Sequence, residues 1–303
     1  MGERLGFSRP ILDTEWTDAP TRRSHVWVEV LVIVWLCWLY DEISNLSPLR
    51  LHTALAHGAT LLQIERVWHL NPELTLNTWA AAHRSIALPM ANFYDSAHFV
   101  VTLGVVAVLW WRHPGLYRSL RNSLVLINVI GFVVFWAYPL APPRMLPAAG
   151  FVDVVAVTHA WGSWQTNAVA SQANELAAMP SLHMAWACWT AVALWQMLRG
   201  RRWRIVVLVY PLVTALVVMA TANHFLLDVI AGMATAWAAF GLVSRLSAGN
   251  SPKMPALWLT PTTLWLTPRT LWLTPRTLWL TPKAPLRTRI TGWLRHRGQP
   301  NST

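Results

Sequence analysis

Four residues in three separate stretches have the types and spacing for chemistry on a phosphate. His224 and Asp228, in NHFLLDVIAG (Asn223 to Gly232), are four apart, so a helix through both puts them on one face. A carboxylate there accepts one ring N–H and leaves the other nitrogen with its lone pair, which a nucleophilic imidazole needs. The bland alternative is a buried polar pair that satisfies itself. His183 lies in MPSLHMAW (Met179 to Trp186), where Pro180 suits the first helical position. Free N–H groups of Ser181, Leu182 and His183 then point outward, with the positive end of the helix dipole behind them, as an anion site. His183 could protonate a leaving alkoxide and later deprotonate an incoming acceptor. A lone His at a helix end is otherwise a satisfied surface residue. Arg144, in YPLAPPRMLP (Tyr138 to Pro147), offers a guanidinium fork for phosphate oxygens, or else is a solvated loop charge. Asp95 and His98, three apart in FYDSAHF, form a second-tier pair, either near an acceptor pocket or internal and structural.

The elements that must position these residues cross a bilayer. The 303 residues are 54% hydrophobic and 12% charged, about half the charge of a soluble domain, and the apolar residues gather in runs. Six spans are expected, over His25–Tyr40, Pro89–Trp111, Ser123–Tyr138, Pro180–Leu198, Trp203–Ala220 and Asn223–Val243. The fold class is therefore an all-α, polytopic helical bundle. Trp, at 21 residues, suits side chains that sit half in water. The stretch from Asp41 to Ile86 is too polar to span and is expected to form a helix or two along the interface. Its histidines His52, His57, His69 and His83 lack carboxylates on a shared helix face and read as interfacial.

Of the 24 Lys and Arg, all but Arg50, Arg66, Arg84 and Arg144 fall on the side of the two termini. Short basic loops mark the cytoplasmic side, so both termini are expected there. The three chemical stretches then share the extracytoplasmic edge, where an ionisable residue at a span end is costly and marks function. The net charge of +11 sits in short loops and a tail beside apolar runs, which fits anionic lipid and excludes nucleic acid. Cys37 and Cys188 lie in apolar runs, with no disulfide framework and no metal-ligand spacing.

Three regions follow: a polar N-terminal tail (1–24) without a cleavable signal pattern, a membrane core (25–248), and a low-complexity tail (249–303) expected to be disordered. The tail holds four seven-residue units from Leu257 to Ala284: LWLTPTT, LWLTPRT, LWLTPRT and LWLTPKA. A Pro in each unit prevents a continuous helix. The tail reads as a basic, Trp-rich segment on the inner leaflet, or as a tandem duplication without a selected role.

At PSLH (Pro180 to His183) and His224-x3-Asp228 the sequence resembles the type 2 phosphatidic acid phosphatase superfamily. It looks most like the inositolphosphotransferase branch, with the inositol phosphorylceramide synthases. The resemblance spans about Glu65 to Val243. The general signatures are Lys-x6-Arg-Pro, Pro-Ser-Gly-His and Ser-Arg-x5-His-x3-Asp. Here Leu182 replaces Gly, Ala137 and Met145 stand where Lys and Pro would be, and Val217 and Val218 occupy the Ser-Arg positions. These departures resemble the inositolphosphotransferase branch.

The resemblance implies a lipid phosphotransferase or phosphatase that needs no metal or cofactor. It implies that the substrate phosphate sits against Arg144, Ser181 and Leu182. It further implies that His224 forms a phosphohistidine with Asp228 holding its ring, and that His183 protonates the departing group. The acceptor would be an inositol-like alcohol, or water, as in a lipid phosphate or polyprenyl pyrophosphate phosphatase. A plasma-membrane setting is expected. A transporter with a polar outer gate is the competing class, but no inverted repeat is visible and the polar residues cluster at one rim, not the midplane. A non-catalytic scaffold would have no need of His183, His224 and Asp228.

Overall fold

The computed structural model describes residues 25–45, 47–158, 176–198 and 201–246. The N-terminal tail to Ser24 and the repeat tail lie outside the described residues. Ten α-helices cover them: α1 (Val26–Asn45), α2 (Leu51–Val67), α3 (Pro72–Ala82), α4 (Arg84–Arg112), α5 (Pro114–Ala137), α6 (Val154–Thr158), α7 (Leu182–Met197), α8 (Arg201–Val206), α9 (Val209–Ala220) and α10 (Leu226–Leu246). Among the described residues the only β-pairing is an isolated parallel bridge, Leu140 to Ala177. The protein is an all-α membrane bundle.

Prolines set several boundaries. Pro72 and Pro114 open α3 and α5, where a missing N–H costs nothing. Pro211 interrupts the expected fifth span, because it gives no N–H to the Val207 carbonyl. The chain turns at Val207–Leu208, so α8 and α9 form one interrupted passage. Pro89 sits inside α4 and removes the bond to the Ser85 carbonyl.

Four passages are long and apolar enough to cross a membrane: Arg84–Arg112, Pro114–Ala137, Arg202–Ala220 and Leu226–Leu246. The other two expected spans differ. Helix α7 has 16 residues, about 24 Å at 1.5 Å each. It packs against α4, α5, α9 and α10, so it fills the middle of the bundle. Helix α1 carries Glu29, Asp41 and Glu42 near its ends and buries none of its residues. Glu29 pairs with Arg121 of α5 at 3.1 Å.

The core is built on α7. Trp189, fully buried, donates its Nε1–H to the Leu120 carbonyl at 2.9 Å and to Ser123 Oγ at 3.2 Å, which fixes α7 against α5. Thr102 of α4 meets Thr190 at 3.3 Å. Exposed Phe99, Val100 and Leu103 of α4 and Trp27, Leu31 and Val34 of α1 are the apolar surface that a bilayer covers.

The polar stretch before α4 does form two helices, α2 and α3, and α3 is tied into the core. Asn77 of α3 is fully buried and satisfied. Its Nδ2 donates to the Val152 carbonyl at 2.9 Å and the Ala220 carbonyl at 3.0 Å, and its Oδ1 accepts the Val152 N–H at 2.9 Å. Asn77→Ala strands three backbone groups, the buried Ala220 carbonyl among them, at a cost of about 2 kcal/mol. The expected result is a clearly lowered melting temperature in detergent, with exposed Thr78→Ala unchanged. Equal stability in the two variants would disprove the clamp.

Candidate active site

His224 and Asp228 meet, but not on one helical face. Helix α10 begins at Leu226, so His224 lies in the turn that joins α9 to α10. The turn is made by Ala222, in the left-handed region at φ 57°, just past the end of α9. The N–H groups of Asn223 and His224 both donate to the Val218 carbonyl, at 3.0 and 3.1 Å. Asp228 then reaches back from the third helical position, and its Oδ2 accepts the Phe225 N–H at 3.0 Å. This is the carboxylate half of a capping box.

The imidazole is oriented by the backbone, where the spacing alone had suggested a carboxylate. His224 Nδ1 lies 2.9 Å from the Ala178 carbonyl oxygen and 3.6 Å from Asp228 Oδ2. Only the first is a hydrogen-bond distance. A carbonyl oxygen can only accept, so Nδ1 carries the hydrogen and Nε2 keeps its lone pair. The Ala178 carbonyl is itself held. The Ala178 N–H donates to the Leu140 carbonyl at 3.3 Å, and the Leu140 N–H donates to the Leu176 carbonyl at 2.9 Å. Asp228 remains beside the ring, fully buried.

Pro180 does not occupy the first helical position: Ser181 is the N-cap of α7, and its Oγ accepts the Met184 N–H at 3.3 Å. Nor is the Ser181 N–H free, since it donates to the Asp228 carbonyl oxygen at 3.1 Å. Leu182 and His183 thus head α7, where N–H groups have no intrahelical acceptor. Gly232 makes this contact possible. A Cβ there would lie 2.3 Å from the Ser181 carbonyl oxygen.

His183 and His224 face each other edge-on, with ring centres 5.6 Å apart. Behind His183, Tyr94 stacks at 4.5 Å and His98 approaches at 4.3 Å. His98 also meets the Tyr94 carbonyl through Nδ1 at 3.0 Å. His98 thus backs His183, and Asp95 is partly buried on the same helix.

Arg144 lies in a short 3-10 turn, Pro143–Met145, and its N–H donates to the Ala222 carbonyl at 2.8 Å. Its Nη1 donates to Asn223 Oδ1 at 2.8 Å, and its Nε pairs with Asp153 at 3.4 Å. The guanidinium is thereby tied to the residue that precedes His224. Asn223 is in turn steadied by Thr221 Oγ1, at 3.0 Å.

Asn223, Asp153 and the Ala178 carbonyl did not stand out in the sequence. Asn223 adjoins His224 and could have been noticed as a polar residue at a span end. The other two depend on tertiary contacts. His57, read as interfacial, supports the segment that carries Arg144. Its Nδ1 meets the Pro139 carbonyl at 2.8 Å and its ring stacks on Tyr138 at 4.0 Å. Two buried acids, Glu65 of α2 and Glu73 of α3, were also missed. Glu65 Oε1 accepts the Leu227 N–H, in the first turn of α10, at 2.7 Å.

Arg144, His183, His224 and Asp228 therefore come together at the heads of α7 and α10, as a site with two imidazoles, a helix N-terminus and a guanidinium. Among the described residues, no three or more His, Cys, Asp or Glu side chains are placed to hold a metal ion together. No curated protein and no solved structure matches the chain. The family model described as the PAP2 superfamily, that of the type 2 phosphatidic acid phosphatases, matches residues 59–242, which include every one of these site residues. The chain belongs to the PAP2 superfamily.

Proposed function

We propose that this protein transfers a phosphoryl or phospho-headgroup from a lipid phosphate ester to an inositol-like alcohol, or to water, through a phosphohistidine. The observation that carries the reading is the His224 ring. Its Nδ1–H is held by the Ala178 carbonyl, which leaves Nε2 with its lone pair, and the His183 ring stands 5.6 Å away, centre to centre.

In the first step His224 Nε2 bonds to phosphorus as the bond from phosphorus to the leaving oxygen breaks. His183 gives that oxygen its proton. In the second step the acceptor O–H passes a proton to His183, its oxygen bonds to phosphorus, and the P–N bond breaks. The N–H groups of Leu182 and His183 and the Arg144 guanidinium stabilise the charge that builds on the phosphoryl oxygens. Ser181 contributes as the cap that aims the helix. Asp228, beside the ring, stabilises the positive charge that forms on it.

The distribution of Lys and Arg supports an extracytoplasmic site, with both termini in the cytoplasm; the membrane we propose is the plasma membrane. An alcohol acceptor is supported by the departures at Ala137, Met145, Val217 and Val218 from the phosphatase signatures. The test is phosphate release, and headgroup exchange with added inositol, from phosphatidic acid, phosphatidylinositol and polyprenyl phosphates. Exchange exceeding release supports the transferase. Release alone makes the protein a phosphatase, and no turnover of any of these lipids by folded protein would overturn both.

A further inference from the structure

Behind the imidazoles lies a group of acids that the reaction above does not use. Glu65 (1% exposed) and Glu73 (fully buried) come from different helices, and Asp228 stands beside them. The two carboxyls bear on each other, and Glu65 Oε1 also accepts the Leu227 N–H at 2.7 Å; the other three oxygens have no hydrogen-bond partner beyond the pair itself. Asp228 Oδ1 likewise has none. Glu65 therefore caps α10 from outside, one residue from the carboxylate that caps it from within.

Three buried carboxylates whose charges act on one another cannot all stay ionised out of water. Burial, opposed by the Leu227 N–H bond and reinforced by the Glu73 charge, pushes Glu65 up to about 8. Burial raises Glu73 as well. The charged groups acting on the pair are Asp228 of α10 and Arg66, the neighbour of Glu65 on α2. The turns packed on α2 add Arg50 and Arg144, but Arg50 donates to the Trp136 carbonyl and Arg144 is engaged by Asn223 and Asp153.

We propose that Glu65 and Glu73 are positioning residues that hold one proton between them, and that this singly charged pair fixes the start of α10 and with it Asp228 and His224. The activity readout rests on the reaction proposed above. Loss of the shared proton would put a second charge on the pair, beside Asp228, and strain the turn that carries His224. The protonated pair is thus the working form, and activity falls as pH rises through about 8.

Two measurements on the full chain in detergent test this. The first is the infrared carbonyl band of a protonated carboxylic acid, followed from pH 6 to pH 10. The second is the pH dependence of kcat and KM on phosphatidic acid. The band is expected to titrate out near pH 8 in wild type and to lose intensity in Glu65→Gln and Glu73→Gln. Glu65→Gln keeps an acceptor for Leu227 and is expected to lose the alkaline limb of kcat. Glu65→Leu removes the acceptor and lowers kcat about a hundredfold at little change in KM, the scale of a 1 Å misplacement. An unaltered alkaline limb in Glu65→Gln, or no band at pH 6 in wild type, would overturn the proposal. A band that titrates as expected in a protein that turns over no lipid phosphate supports the shared proton and overturns the proposed reaction.

Discussion

His224→Ala is expected to abolish turnover of lipid phosphates, by roughly 10⁴-fold or more, because it removes the proposed nucleophile itself. The loss should appear in kcat, since the variant leaves Arg144 and the head of α7, the proposed phosphate-binding groups, in place. Its most direct sign is covalent. Wild type given a phosphorus-labelled lipid and quenched in alkali should retain label on the protein, because a phosphoramidate withstands base, and acid should release it. His224→Ala should retain none. His183→Ala should still take up label from a substrate with a good leaving group, because proton donation then matters less to the first step. Label that persists in His224→Ala would assign the nucleophile elsewhere. Activity equal to wild type would end the phosphohistidine reading.

The second large effect is expected at a residue without a side chain. Gly232→Ala puts a methyl group 2.3 Å from the Ser181 carbonyl oxygen and 3.1 Å from Met184 Cβ. The nearest obstacle is backbone, so no side chain can swing away to make room. Helix α10 and the head of α7 must separate by about 1 Å, and overpacking of this kind costs about 1–3 kcal/mol. The Ser181 N–H bond to Asp228 stretches, and His183 moves relative to His224. A shift of about 1 Å in a reacting geometry costs on the order of 10²-fold in rate. Gly241, on the same helix, is the control, because a Cβ there meets nothing within 4 Å. Gly241→Ala should be neutral or stabilising by up to about 1 kcal/mol. Parallel measurements of kcat and melting temperature on the two variants decide the matter. A Gly232→Ala enzyme within threefold of wild type would show that the heads of α7 and α10 can part without consequence.

The membrane bundle was legible because apolar runs of about twenty residues carry their own meaning. The four residues of the candidate site could be picked out because each sits near the head or tail of such a run. The local geometry was less so. The spacing of His224 and Asp228 suggested one helical face. Asp228 instead caps α10, which starts after the histidine and leaves His224 in a turn. Pro180 looked like the opening of α7, but Ser181 takes the capping position and spends its N–H on Asp228. Both differences concern the exact point at which a helix begins, which capping decides and periodicity does not show. Glu65 and Glu73 lay in a stretch too polar to span and expected to lie along the interface. Their burial arises only when α2 and α3 fold onto the core, and nothing local in the sequence announces that.

The acceptor that orients His224 is a main-chain oxygen, and this has a consequence for how the site tolerates change. Every amino acid brings the same carbonyl to position 178. Systematic replacement of side chains would therefore score this position as a matter of size alone, small enough to stay buried. Its part in setting the histidine tautomer would pass unseen. Only an edit to the main chain itself would expose that part, such as an ester in place of the amide that follows Ala178, which makes its carbonyl a poorer acceptor. A maintenance role written in the backbone is shielded from most single-codon changes, so the neighbourhood of residues 140 and 176 to 178 can drift in sequence while the imidazole keeps its orientation.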